Sequence, residues 1–421
     1  MNQTLSTRRW WVIMPIVFIT YSLAFLDRAN FGFASAAGIT QELGIGQGTS
    51  SLLGALFFLG YFAFQIPAAL YAQRRSVKKL IVASLVLSGA CAALTGIVSS
   101  IPALMGVRFA LGIAEAMIMP ALLICISNWF TKRERSRANT LLILGNPVTL
   151  LWMSVVSAYL VDTVGWRAMF LAEGVPAVAW AICWWYCMPE RPSDARWLSV
   201  QEKHALKAAL CREQSAIKAA SHCGNAIRPV LVLKLCMQYF FWNIAVYGFV
   251  LWLPSVLKAT LTIGIVSAGW LSTFPYLLAI GAMLAVSWAS DRLGTREAFV
   301  WPCLAIGALA FAALYAIGAT HPWLSYALLA IAGAAMYAPY GAFFALVPEL
   351  LPKELAGRAM ALINSMGALG SFVGSYAVGY LNGMTGTPSI SYALMSAALI
   401  ASVLFMLRLA APVIPATQAT S

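Results

Sequence analysis

Charged residues are scarce in this chain: Asp, Glu, Lys and Arg make up 10% of 421 residues, where a soluble domain carries about 25%. So little charge cannot solvate a globular surface, which excludes an ordinary soluble protein. Histidine is rarer still. Its three copies, at 204, 222 and 321, fall in loops without ligand spacing and indicate neither a zinc site nor a histidine-based catalytic centre. The eight cysteines, at 91, 125, 183, 187, 211, 223, 236 and 303, contain no CxxC pair and support neither a disulfide framework nor a metal site. With no nucleophile or cofactor motif beside them, the sequence points to no enzyme, no cofactor and no metal.

What the chain has in abundance is apolar length. Hydrophobic residues are 61% of it and the mean hydropathy is +0.81. Runs long enough to cross a bilayer, about 20 residues each, fall at 10–33, 49–72, 79–98, 102–125, 138–160, 167–188, 233–257, 265–288, 298–318, 322–346, 357–380 and 389–409. The pattern predicts an all-α membrane protein of twelve transmembrane helices. Ala34-Ser35-Ala36 has the form of a signal-peptidase site, but the run before it is too long for a signal peptide and holds two charges, so the first span is retained. With both termini cytoplasmic, 23 of the 27 Lys and Arg residues fall on the inner side, as the positive-inside rule requires. The net charge of +13 is therefore topology, and its scatter over many short loops speaks against nucleic acid as a partner.

The chain also repeats itself. The loop "AQRRSVKKL" after the second span aligns with "SDRLGTREA" after the eighth, Gln73 on Asp291, an offset of 218. "FTKRERSRA" after the fourth aligns with "LPKELAGRA" after the tenth, Lys132 on Lys353 and Arg137 on Arg358, an offset of 221. Two loop pairs at nearly one offset indicate a duplicated half: a six-helix bundle over 1–188, a cytoplasmic linker over 189–229 and a second six-helix bundle over 230–421. In the linker, Ser199 and Glu202 have capping-box spacing and predict a short surface helix.

Two six-helix halves with this loop grammar resemble the major facilitator superfamily. Its loop motif G-x-x-x-D-R-x-G-x-R is matched by Ser287-x-x-x-Asp291-Arg292-Leu293-Gly294-Thr295-Arg296. In the first half Gln73 stands for the Asp and Ser76 for the Gly, while Arg74 and Lys78 remain. The resemblance implies a cytoplasmic gate built on Asp291, Arg292 and Arg296. "FLDRANFGFA", "RFALGIAEA", "GWRAMFLAEG" and "RPSDARWLS", in that order, are together similar to the anion:cation symporter family, whose bacterial members carry sugar acids or aromatic acids. That similarity implies uptake of an organic anion with protons across a bacterial inner membrane, and makes Tyr61, Gln238 and Asn364 substrate contacts.

The charges inside the spans point the same way. A charged side chain at the centre of a membrane helix costs roughly 2.5–3.5 kcal/mol on the insertion scale, so Asp27 and Arg28 in the first span face protein or water. The fourth span adds Arg108 and Glu115, seven residues apart and nearly on one helix face. Asp27 and Arg108 lie about 9 Å below the outer boundary and Glu115 about 20 Å below it, which allows one polar column. With both carboxylates ionised the column is neutral. With both protonated it carries two guanidiniums, which suit a carboxylate. Asp27 and Glu115 are therefore proton-coupling candidates, and Arg28 and Arg108 bind the anion; the alternative is static salt bridges. Adjacent Asp27 and Arg28 diverge by about 100° and cannot share one narrow face. Glu173, close to Arg167 near the outer end of the sixth span, reads as a structural ion pair or interface position.

Uncharged partners for a hydroxylated solute are Tyr61 and Gln65 on the second span, Asn146 before Pro147 on the fifth, the stripe Tyr239, Asn243 and Tyr247 with Gln238 on the seventh, and Asn364 on the eleventh. A sugar acid, a hexonate, deoxyhexonate or hexuronate, is the first expectation. Trp152, Trp242, Tyr337, Tyr340 and Phe344 suit a ring, so an aromatic or dicarboxylic acid is the second. A transport-deficient sensor is a different class, and a drug exporter of hydrophobic cations fits poorly with two guanidiniums. Gly367, Gly370 and Gly374 mark close helix packing, Trp10, Trp11 and Trp323 interfacial anchors. Expected partners are the anion, protons and lipid, with the protein a monomer.

Overall fold

The computed structural model describes residues 7–220, 229–318, 320–350 and 353–410, and every regular element among them is helical. The first three spans are Arg8–Ala36, Gln47–Arg74 and Val77–Ile97; the seventh to ninth are Pro229–Leu261, Ile265–Leu293 and Glu297–Ile317; the last two are Lys353–Thr385 and Ser389–Ala410. The fourth is built in two pieces, Ile101–Ala116 and Ile118–Trp129, and the tenth likewise, Pro322–Tyr337 and Tyr340–Leu350. In both breaks a proline follows: Pro120 has no N–H for the Ala116 carbonyl and Pro339 none for Ala335.

The fifth and sixth spans run together as Lys132–Cys187. Among the described residues, eleven helices are long and apolar enough to cross a membrane, and one of them covers 51 residues, Arg137–Cys187. At 1.5 Å per residue that is about 77 Å, more than twice the roughly 30 Å hydrocarbon core. The chain turns at Gly165, whose φ of 81° is open to glycine and strained for other residues. The twelve expected spans are thereby recovered, in two pseudo-symmetric six-helix bundles.

The two bundles meet mainly along three helix pairs, the first span with the seventh, the second with the eleventh, and the fifth with the eighth. Close approach is allowed by missing side chains. A Cβ on Gly32 would stand 2.2 Å from the Leu251 carbonyl oxygen across the bundle interface. Within the second bundle, Gly370 and Gly374 let the Phe240 and Ile244 carbonyls approach to 2.1 Å of where a Cβ would be, the close packing expected of them. Gly32→Val should force the bundles apart at this end, at about 1–3 kcal/mol, and lower transport by roughly tenfold or more. Cysteine labelling of neighbouring Ala36 would rise in parallel; unchanged labelling would show that the contact is not part of the closed state.

The two ends differ. One collects the basic loops. There Arg9, buried, donates to the Trp129 carbonyl at 2.6 Å and pairs with Glu134 at 2.8 Å, while Lys234 donates to the Arg408 carbonyl. At the other end Lys258 of the seventh span donates to the Ala36 carbonyl of the first at 2.9 Å, and Arg167 pairs with Glu42 at 2.9 Å. The linker helix Val200–Ala220 starts where expected: Ser199 N–H donates to Glu202 at 2.8 Å, and the Glu202 N–H returns a bond to Ser199 Oγ at 3.2 Å. Trp197, in "RPSDARWLS", stacks on Trp129 with ring centroids 5.6 Å apart. Residues 221–228 of the linker lie outside the described residues. Trp11 and Trp323 are exposed as anchors should be, whereas Trp10 is half-buried and packs on Phe130 at 4.7 Å.

Burial acts against ionised Glu134, but bonds from the Thr131 backbone N–H and hydroxyl and from Arg9 outweigh it and hold its carboxyl below the usual range. A depressed carboxylate adds stability above its unfolded value, about 4.3, and loses it as pH falls through the folded one. The melting temperature should therefore drop on acidification below about pH 4.3, and Glu134→Gln should flatten that part of the profile. An unchanged slope in the variant would assign the acid sensitivity elsewhere.

Candidate functional site

Where the two bundles face each other, midway between the ends, a cavity of about 50 Å³ remains. At about 10–15 Å³ per water it has room for a few waters, so its walls must part before a larger solute enters. The first bundle contributes Tyr21 and Arg28 from the first span, Phe58 and Tyr61 from the second, Met119 from the fourth, and Ile143 and Asn146 from the fifth. The second bundle contributes Tyr239, Asn243 and Tyr247 from the seventh span, Tyr340 and Phe344 from the tenth, and Asn364, Gly367, Ala368 and Ser371 from the eleventh. The helix breaks lie close by: Met119 and Tyr340 both follow one.

Among the described residues, Arg28 is the one charged side chain on this lining. Its Nε donates to Glu115 Oε2 at 3.0 Å, and its guanidinium lies over the rings of Tyr61, Phe25 and Phe57 at 4.7, 5.0 and 5.6 Å. The rings hold the planar head in place by cation–π attraction. Glu115 is fully buried, and its Oε1 has no hydrogen-bond partner. Arg108 is also fully buried but lies off the cavity, donating through Nε to the Leu53 carbonyl at 3.3 Å with both Nη atoms unpartnered. Asp27 is buried with Oδ1 unpartnered. Asp27, Arg108 and Glu115 lie within electrostatic reach of one another. Unsatisfied buried polar groups of this kind are rare and costly, and three of them share one region.

Of the sequence candidates, Arg28, Tyr61, Asn146, Tyr239, Asn243, Tyr247 and Asn364 converge on the cavity. The 100° divergence of Asp27 and Arg28 is resolved with Arg28 facing it and Asp27 turned into the first bundle. Arg28, rather than Arg108, holds Glu115, so the column is a crossed pair between the first and fourth spans. Gln65 is buried off the lining, and Gln238 faces the twelfth span, donating to Ser402 Oγ at 3.1 Å. Among the aromatic candidates, Tyr340 and Phe344 line the cavity, Trp242 donates to the Met336 carbonyl behind it, Tyr337 is buried off the lining, and Trp152 is exposed. Tyr21 and Ser371 were not singled out from sequence. Tyr21 precedes Arg28 by seven residues, the same-face spacing that pairs Arg108 with Glu115, and was legible.

Glu173 does not pair with Arg167, which is held by Glu42. It bonds instead to Asn30 and Ser157. At the basic end, Arg296 bonds Asp291 and reaches Glu349 at 3.3 Å, which strengthens its hold on its own proton. Arg292 is not in this lock, lying over the Trp288 ring at 5.3 Å. Glu349, at the end of the tenth span, is the third member that the loop motif alone does not show. The side chains of Gln73, Arg74, Lys353 and Arg358 lie outside the described residues.

Comparison with known proteins agrees with this architecture. The family model described as Major Facilitator Superfamily matches residues 17–375, with a second match to 256–420. A quinolone resistance transporter of Acinetobacter baumannii is 29% identical over 391 residues, 89% of this chain and 87% of its own. A putative tartrate transporter of Agrobacterium vitis is 29% identical over 383 residues, 89% of this chain and 84% of its own. The inward open conformation of the xylose transporter XylE from E. coli superposes with a TM-score of 0.74 at 16% identity, covering 98% of each chain.

Proposed function

Because the chain belongs to the major facilitator superfamily, and so is a multi-pass membrane transporter of a bacterial inner membrane rather than an enzyme, we propose that it carries a small organic anion into the cell together with protons. One observation carries the reading: the single guanidinium on the cavity is held by a carboxylate that a proton would release. When Glu115 is protonated, the charge of Arg28 is freed for the carboxylate of a solute. The solute in turn favours the neutral form of Glu115 by occupying its partner. Proton and anion then bind together, which is the linkage a symporter needs. Asp27 is the second proton site, and Arg108 balances it.

The halves, 1–188 and 230–421, rock about the cavity with the linker 189–229 and both termini cytoplasmic. Asp291, Arg296 and Glu349 lock the cytoplasmic side of the second half. A sugar acid is supported by Asn146, Asn243 and Asn364 on the lining, whose amides offer donors and acceptors to hydroxyls, and by Ser371, which gives its hydrogen to the Gly367 carbonyl and offers an acceptor. The tartrate name of one relative points instead to a dicarboxylic acid, which belongs with the second reading. That second reading, an aromatic or dicarboxylic acid, is favoured on its aromatic side by a specific observation: seven of the sixteen lining residues are Tyr or Phe. The quinolone-resistance name of another relative is compatible with export; a cavity whose one charge among the described residues is a guanidinium disfavours a hydrophobic cation but not an acid.

The test is proton entry into proteoliposomes under an imposed potential on adding sugar acids, tartrate and aromatic acids in turn. Acidification driven by one sugar acid supports the first reading, and by tartrate or aromatic acids alone the second. No proton entry with any acid, alongside sodium-driven uptake of one of them, would overturn the coupling.

A further inference from the structure

Glu173 is a buried carboxyl that the mechanism above does not use, and its surroundings are unlike those of Glu115. It lies in the sixth span, 6% exposed, facing Asn30 of the first span and Ser157 of the fifth, both fully buried. Asn30 Nδ2 donates to Glu173 Oε2, Ser157 Oγ lies 2.6 Å from Glu173 Oε1, and Ser157 Oγ lies 3.5 Å from Asn30 Oδ1. The three side chains thus form a closed ring.

Counting hydrogens decides the protonation of that ring. A serine hydroxyl has one hydrogen to give. If Glu173 is ionised, that hydrogen goes to the carboxylate, and Asn30 Oδ1 is left buried without a donor. If Glu173 is a neutral acid, its O–H donates to Ser157 Oγ, the Ser157 O–H donates to Asn30 Oδ1, and Asn30 Nδ2 donates to Glu173 Oε2. Three donors then meet three acceptors head to tail, and no buried group is orphaned.

Charge agrees with this count. No salt bridge reaches Glu173 among the described residues, and Arg167 on its own helix is taken by Glu42. Facing it from the first span is Asp27, one turn before Asn30 and of like charge when ionised. The fifth span offers uncharged Ser157. The third span packs so tightly on the sixth that a Cβ on Gly174 would meet the Gly89 carbonyl oxygen at 2.6 Å, and its nearest titratable group along the chain is Cys91. With Glu173 neutral, the remaining buried set of this region, Asp27 and Glu115 against Arg28 and Arg108, balances. Metal-ligating oxygens surround an ion rather than hydrogen-bond one another, so direct contact at 2.6 Å marks a proton site and not a sodium site.

We propose that Glu173 is a third intramembrane proton-binding site, a carboxylic acid kept neutral by the Asn30–Ser157 ring, which pins the first span one turn from Asp27 and does not release its proton in turnover. Glu173 is in this sense a positioning residue for the Asp27–Arg28 turn. The inference does not depend on which solute is carried.

The experiment is infrared spectroscopy of the full chain in lipid, comparing the wild type with Glu173→Gln, whose amide reproduces both the donor and the acceptor of the neutral acid. The expected result is a protonated-carboxyl carbonyl band in the wild type that persists across neutral pH and is missing from the variant. Ser157→Ala should keep that band and move it to higher frequency, because its O–H loses an acceptor. A wild type without the band, or a band that Ser157→Ala does not move, would overturn the ring. In proteoliposomes, Glu173→Gln should keep the pH profile of solute-driven proton entry; a shifted profile would overturn the claim that the proton stays in place.

Discussion

Glu115→Gln is expected to fold, to exchange solute across the membrane, and to lose the voltage-driven part of accumulation. The amide mimics the protonated carboxyl, so Arg28 stays free for the anion while one of the two proton sites is gone. Two protons with one monovalent anion carry one net positive charge inward, worth about 2.3 kcal/mol per 100 mV, or roughly fifty-fold in accumulation at 1.4 kcal/mol per decade. The variant should therefore accumulate roughly fifty-fold less at 100 mV, and its uptake should ignore the potential. Counterflow of labelled solute and voltage-clamped uptake in proteoliposomes read the two parts separately. Uptake by the variant that still responds fully to voltage would remove Glu115 from the coupling.

Arg28→Lys should have the second large effect, on binding. Arg28 presents a planar fork to the cavity, seated on the rings of Tyr61, Phe25 and Phe57, and an ammonium restores the charge without the bidentate geometry or the stacking. Disturbing one partner of a buried charge pair costs about 2–5 kcal/mol, so affinity should fall by roughly thirty-fold or more. Arg108→Lys is the control. Arg108 is fully buried off the lining, so that variant should lose stability and leave affinity within a few fold. Titration calorimetry with the transported acid decides between them; equal losses of affinity would place Arg108 in the binding site as well.

Much of the architecture was legible because a bilayer imposes its own period. Apolar runs of about 20 residues and the sidedness of Lys and Arg follow from the cost of burying charge in hydrocarbon, and both are written residue by residue. The internal repeat was legible for a related reason, since two copies of one loop keep their charges at one spacing. The fifth and sixth spans follow the same reading, since the gap between the runs 138–160 and 167–188 contains Gly165. They are helical through one stretch from Lys132 to Cys187, and Gly165 alone makes the turn.

The site was legible only in part. The sequence by itself determined that Asp27, Arg28, Arg108 and Glu115 must avoid lipid, since a lone charge in hydrocarbon is too costly to expose, and that Tyr239, Asn243 and Tyr247 share a helix face. Which acid holds which base was decided only by the tertiary structure. Helix spacing placed Arg108 and Glu115 on one face, yet Glu115 pairs with Arg28 from another helix, because the packing of the first span sets that distance. The same holds for Glu173, whose sequence neighbour Arg167 is taken by Glu42, and for Gln238, turned away onto Ser402. Periodicity fixes the face of a helix, but the partner across that face depends on how two helices are rotated and slid against each other, and no spacing within one helix carries that information.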